Sequence, residues 1–262
     1  MGANRVDLSG LKWHRRNAVS QVWGDWRVTV GTDAEATDIL RKSALFQDLD
    51  GALFAEICAD ARVSELARGQ ILFQQHDPAR TFFVVLDGWV KVFRMSPRGE
   101  EAVIGIFTRG ESFAEIAALA GNDYPASAEA VADTRLAAVS VERLTRRISE
   151  DPSVALAMLA SVSRQMHRLV DEIEQMKGHS GIQRVAEFLA RHCNVDEGAC
   201  VVRLPYEKAL IAGKLGMKAE SLSRVFQRLR ARGVVIRGEM AMINDVATLR
   251  DIVDRDSNSA LG

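Results

Sequence analysis

Glycines recur at positions 88, 99, 110 and 121, one every eleven residues, and each falls between short β-branched or aromatic runs. The runs are "QILFQQ", "TFFVVLDG", "WVKVFRM", "EAVIGIFT" and "RLAAVS". Glycine reaches the positive φ that tight turns need, so strand–turn–strand at a fixed beat predicts a sheet that folds back on itself. The expected product is a small antiparallel β-roll or jelly roll of roughly 80 residues. Ahead of it, "TDAEATDILRKSALFQDLDGALFAEICADARVSEL" predicts two short helices, the second with Leu53, Phe54, Ile57 and Ala61 at helical spacing. Residues 1–38, with Trp13, Trp23 and Trp26 and no clear period, read as an N-terminal extension.

After the last run the period changes. "EDPS" places Pro152 in the first turn of a long helix, in which Ala155, Leu159, Val162, Met166, Leu169, Ile173 and Met176 advance in steps of four and three. Apolar residues at a 3.5 period form a coiled-coil seam, so Leu159, Val162, Met166, Leu169, Ile173 and Met176 are expected to pair with a second copy. Gly178 and Gly181 then mark a hinge.

Net charge over 262 residues is −1, but Gly178 to Arg250 holds twelve Lys and Arg against seven Asp and Glu. A basic module in a near-neutral chain fits a sensor fused to a nucleic-acid reader. The segment carries two short helices around "KLGMKA", followed by "VVIRGEMAMIND" as a β-wing, which predicts a winged helix-turn-helix. Its second helix, 218–232, buries Leu222, Val225, Phe226 and Leu229 and turns Glu220, Ser223 and Arg224 outward. Arginine can donate a bidentate pair to guanine and glutamate can accept from cytosine, so these three are expected to read double-stranded DNA. Lys214, Lys218, Arg228, Arg230 and Arg232 are placed to neutralise phosphates.

Cys58, Cys193 and Cys200 have no CxxC spacing and build neither a disulfide framework nor a zinc site. No apolar run approaches the ~20 residues of a membrane helix, so no membrane partner and a cytoplasmic location are expected. No P-loop, nucleophile elbow or dinucleotide fingerprint is present, and the strands lack the clustered histidines of a metal cupin, which argues against an enzyme.

The order β-roll, long helix, winged helix-turn-helix over residues ~40–250 resembles the Crp/Fnr family of bacterial transcription regulators. "ESLSR", Glu220 to Arg224, resembles the Fnr-side E-x-x-S-R signature. The resemblance implies an α+β chain with a cyclic-nucleotide-binding-like sensor at 39–150, a dimerisation helix at 151–178, a DNA-binding domain at 179–250 and a tail at 251–262. It further implies a homodimer on a TTGAT-like inverted repeat, activating contacts with RNA polymerase, and an effector pocket at Glu115, Tyr124 and Ser127. In "GESFAEIAALAGNDYPASAEAV" the family's glycine is Ala114, and no Lys or Arg lies between Gly110 and Asp133, so cyclic AMP is not expected. No cysteine precedes Cys58, so an Fnr iron–sulfur cluster is not expected either. The helix and DNA-binding segments resemble the Dnr-type, nitrogen-oxide-responsive branch, which implies haem, with His167 as the candidate ligand. The rival is an effector-independent regulator or one controlled by oxidation of a thiol, Cys193, whose neighbours His192 and Arg191 would lower its pKa.

Overall fold

The computed structural model describes residues 28–96, 99–156, 158–160, 162–164, 166, 180–205 and 207–257. The chain opens with β1 (Val28–Thr29) and a 3-10 turn (Val30–Thr32), then α1 (Ala34–Lys42) and α2 (Gly51–Ile57). Asp33 and Asp50 cap these helices, accepting from Ala36 N and from Ala52 N and Leu53 N. The strands β2 (Arg62–Leu66), β3 (Ile71–Phe73), β4 (Thr81–Asp87), β5 (Trp89–Met95), β6 (Glu101–Thr108) and β7 (Ser112–Phe113) follow. After them come α3 (Glu115–Leu119), β8 (Ser127–Ala130), β9 (Thr134–Ser140) and α4 (Val141–Glu150).

The strands form two antiparallel sheets, in the orders β1-β2-β9-β4-β7 and β3-β8-β5-β6. Phe73, Phe83, Phe107, Phe113 and Tyr124 stack between them, with Phe73 and Tyr124 centroids 3.8 Å apart and Phe83 and Phe113 5.4 Å apart. β4 is buried on both faces, because its outer face is covered by α1, α2 and the segment between them through Leu40, Phe46 and Phe54. The four regularly spaced glycines all take positive φ. Gly88, between β4 and β5, is the crowded one: a Cβ there would lie 2.4 Å from the Asp133 carbonyl oxygen, so no side chain fits.

Three expectations need correction. Residues 28–38 are not an extension, since β1 pairs with β2 and Val30 and Ala36 lie in the core. Residues 62–66 form β2, paired with β9, where the helical reading ran through Leu66. The C-terminal domain also does not end at 250. It consists of α5 (Gly181–Arg191), β10 (Cys200–Arg203), α6 (Lys208–Lys214), α7 (Ala219–Arg230), β11 (Val234–Arg237), β12 (Met240–Ile243) and α8 (Val246–Ser257). α8 packs on α5, buries Leu249 and Ile252, and its Val253 carbonyl accepts from Gln183 Nε2 at 3.2 Å, so it is part of the domain's core.

Asp151 and Pro152 break α4 from the next helix, which is helical wherever residues 153–166 are described. Its first two turns dock on the β-roll through the buried Val154 and Met158. Leu159, Val162 and Met166 point away from the roll, 66%, 44% and 61% exposed. Leu169, Ile173 and Met176 lie outside the described residues.

Candidate nucleic-acid interface

α6 and α7 meet through the turn Leu215–Lys218, where Gly216 takes φ +61°. Leu222, Val225, Phe226 and Leu229 bury one face of α7 against Val185, Ala186 and Leu189 of α5 and Ile211 and Ala212 of α6. Burial at i, i+3, i+4 and i+7 leaves the opposite face to solvent. Glu220, Ser223 and Arg224 lie on it, within the first two turns, and all three are exposed. No ion pair joins Glu220 to Arg224 among the described residues, so both are at liberty to meet a partner. Lys218 is the N-cap, and Arg228, Arg230 and Arg232 follow along the exposed side. β11 and β12 form the wing, with β10 added on the far edge of β12. "ACVVRLP" therefore supplies one strand of this sheet.

Lys214, expected on phosphate, is engaged elsewhere. Its Nζ lies 2.7 Å from each carboxylate oxygen of Glu111 and donates to the Ile106 carbonyl at 3.1 Å, both in the β-roll. It borders an apolar groove of about 570 Å³ between β6 and α6.

Lys214 belongs to a wider contact between the domains. Trp89, at the start of β5, is 1% exposed and packs in the C-terminal domain's core cluster. Its indole N–H donates to the Arg203 carbonyl at 2.8 Å, and its ring stacks on His192 at 5.5 Å with 4° between planes. His192 Nδ1 donates to the Phe188 carbonyl at 2.6 Å, so Nε2 accepts the Thr108 hydroxyl at 2.8 Å. Burial lowers the pKa of this histidine, against a raising contribution from the Phe188 carbonyl and from Glu111. Arg68–Glu239 and Arg203–Asp133 complete the contact at 2.8 and 3.3 Å. Beside it lies a crevice of about 450 Å³ bounded by Trp89, Thr108, His192 and Arg203.

In the sensor domain the three expected pocket residues take different places. Tyr124 is 3% exposed, and its hydroxyl donates to the Thr81 carbonyl at 2.6 Å. It is a core residue, and burial pushes its phenol pKa up. Ser127 accepts from Gln75 N at 3.0 Å, and Glu115 is half-buried in the first turn of α3. Ala114, just before it, is held at φ +69°, a conformation its Cβ disfavours and glycine accepts freely. The stretch "YPASA" has no cation in sequence, but β5 brings one: Arg94 Nε donates to the Pro125 carbonyl at 2.8 Å. Only the sheet pairing between β5 and β8 brings this residue close, so no local signal announced it.

Of the histidines, only His76 and His192 lie among the described residues. His192 has both ring nitrogens engaged, His76 is exposed in a turn at φ +73°, and the roll's interior is filled by its aromatic stack. His167 lies outside the described residues. The thiol expectation is corrected as well. Burial, followed by the neighbouring Cys200 thiol, pushes the Cys193 pKa up, and this outweighs the lowering by Arg250.

Taken together, a jelly-roll sensor-type domain bearing a winged helix-turn-helix with an exposed polar recognition face defines a two-domain DNA-binding regulator. A cyclic nucleotide-binding domain matches residues 63–151 and a Crp-like helix-turn-helix domain matches residues 183–252. A solved structure of a candidate cyclic nucleotide binding protein from Ruegeria pomeroyi DSS-3 superposes with a TM-score of 0.79 at 45% identity, covering 83% of this chain and 96% of that one. DNR from Pseudomonas aeruginosa superposes with a TM-score of 0.51 at 29% identity, covering 82% and 96%. The transcriptional activator protein Anr of Pseudomonas aeruginosa is 29% identical over 177 residues, 65% of this chain and 71% of that protein. The chain belongs to the Crp/Fnr family of transcription regulators, whose members are regulators and not enzymes. No helix among the described residues is long and apolar enough to cross a membrane.

Proposed function

We propose that this protein regulates transcription as a homodimer bound to an inverted repeat of TTGAT-like half-sites, reading bases with Glu220, Ser223 and Arg224. The observation that carries the reading is the exposed trio on the first two turns of α7, backed by a fully packed apolar stripe. A recognition helix reads base edges from its N-terminal residues, while bases further along hold phosphates, which assigns Lys218, Arg228 and Arg230 to the backbone. Pairing of two chains through Leu159, Val162 and Met166 places two such helices on one face of a duplex. Half-sites about one helical turn apart then match the symmetry of the dimer. Contacts with RNA polymerase follow from this reading, and so does control by the state of the β-roll.

The test is a gel-shift titration of the full chain against a TTGAT palindrome, the same palindrome with five base pairs inserted at its centre, and a scrambled duplex. Binding that favours the palindrome by at least about 10³ over the scrambled duplex and is lost on insertion supports the reading. Equal affinity for all three would overturn it. Titration with haemin, read as a saturable Soret band at one haem per subunit, tests whether the sensor domain holds haem.

A further inference from the structure

Lys214 cannot serve DNA and the β-roll at the same time. We propose that Glu111 and Lys214 form a clasp that withholds a phosphate-binding cation from DNA until the helix-turn-helix domain leaves the β-roll. This deepens, and rests on, the DNA-binding reading above.

The carboxylate is set in place before the lysine arrives. Glu111 lies just after Gly110 in the β6–β7 turn, where its Oε2 accepts from Thr108 N at 2.9 Å. Its own backbone N–H donates to the Thr108 carbonyl at 2.9 Å, and its carbonyl accepts from Val85 N at 3.0 Å. Lys214 then meets three acceptors, the two Glu111 oxygens and the Ile106 carbonyl, and an ammonium has three protons to give. The pair is partly shielded, with side chains 22% and 41% exposed, which strengthens it over an open surface pair.

Lys214 is also the last residue of α6 and borders the turn into α7. In helix-turn-helix docking the first helix crosses the DNA backbone, so a cation at its C-terminal end faces phosphate. Release is a domain movement and not a side-chain flip, because Trp89–Arg203, Thr108–His192, Arg68–Glu239 and Arg203–Asp133 hold the same body on the roll. The element therefore has two arrangements, clasped on Glu111 or engaged on phosphate. Whatever loosens the 108–111 turn favours DNA, and DNA in turn favours the loosened roll by the same factor.

The experiment compares wild type, E111Q, K214Q and the double variant of the full chain by two readouts. Hydrogen exchange of peptides spanning 106–113 and 208–215, without DNA, reads the clasp. Affinity for the palindrome across a salt series reads its consequence. Faster exchange is expected in both peptides for E111Q and, independently, for K214Q. E111Q should bind DNA roughly 3- to 10-fold tighter, and K214Q should flatten the salt slope by about 0.9. E111Q should add nothing in the K214Q background. Unchanged exchange in both single variants overturns the clasp. Tighter binding by E111Q that persists in the K214Q background also overturns it, by tracing the effect to bulk charge. If no variant and not the wild type prefers the palindrome, the DNA reading fails, while exchange still reports whether Glu111 holds Lys214.

Discussion

Arg224 and Arg228 sit one turn apart on α7 and should fail in different ways when removed. Arg224, in the second turn with Ser223, is placed to donate to a base edge. Arg224→Ala should therefore cost about 1–3 kcal/mol at the preferred base and relax specificity there, measured by binding to a panel of single-base variants. Arg228→Ala should weaken binding to every duplex alike and lower the salt slope by about 1, measured by titration at several ionic strengths. The same scale holds a test of the sensor's turn. Ala114 at φ +69° holds a left-handed conformation that costs an L-residue roughly 1–2 kcal/mol, partly offset in a glycine by its larger unfolded-state freedom. Ala114→Gly should thus raise stability by up to about 1 kcal/mol in a denaturant melt, and a loss of that size would show that the packing of the Ala114 methyl against the roll's core outweighs the relief of φ. Cysteine reactivity belongs here too. The Cys58 thiol is pushed up to about 12 by burial, and Cys193 is raised further, so both should resist iodoacetamide at pH 7 far longer than an unhindered thiol, followed by mass spectrometry of the labelled peptides.

Among the elements, the helix after Pro152 carries opposite commitments on its two faces. Val154 and Met158 are buried on the roll, whereas Leu159, Val162 and Met166 are exposed, and Arg164 ties the helix back to Asp48 at 3.1 Å. Leu159→Glu with Val162→Glu would place charges in the proposed seam between two chains. Sedimentation should then show monomers of native fold with loss of palindrome binding, and a persistent dimer would remove this face from the interface. The α7 stripe was legible because one helix presents its whole pattern within a few turns. β2, β7 and β8 were not. "RVSEL" alternates too weakly to announce a strand, and β2 is fixed by pairing with β9, some seventy residues on. α8 escaped notice because "VATLRDIVDRDS" spaces few apolar residues among five charges, and only its packing on α5 shows Leu249 and Ile252 as core. Arg94 reached the "YPASA" stretch by the same route of long-range pairing.

At the scale of the whole molecule, the two domains share a core residue. Trp89 belongs in sequence to the β-roll yet completes the apolar cluster of the DNA-binding domain, and nothing within "DGWVK" reveals that. The contact it anchors also contains a histidine whose titration bears on domain docking. His192 is stacked on Trp89 and against Phe188, with Thr108 on Nε2 and the charges of Glu111, Lys214 and Arg109 nearby. Desolvation dominates, so its folded pKa lies below the ordinary 6.5. Between the two values the unfolded or undocked chain binds more protons than the docked one, and stability rises with pH. The docked arrangement is therefore fully stable with respect to this group above pH 6.5 and loses that contribution as pH falls below it, through the folded pKa. Hydrogen exchange of the 106–113 and 208–215 peptides should accelerate between pH 7 and pH 5.5 beyond the intrinsic chemical trend. His192→Gln keeps a polar side chain at this position without the titration, so the excess acceleration should vanish in it. An undiminished pH response in His192→Gln would show that this histidine does not set it.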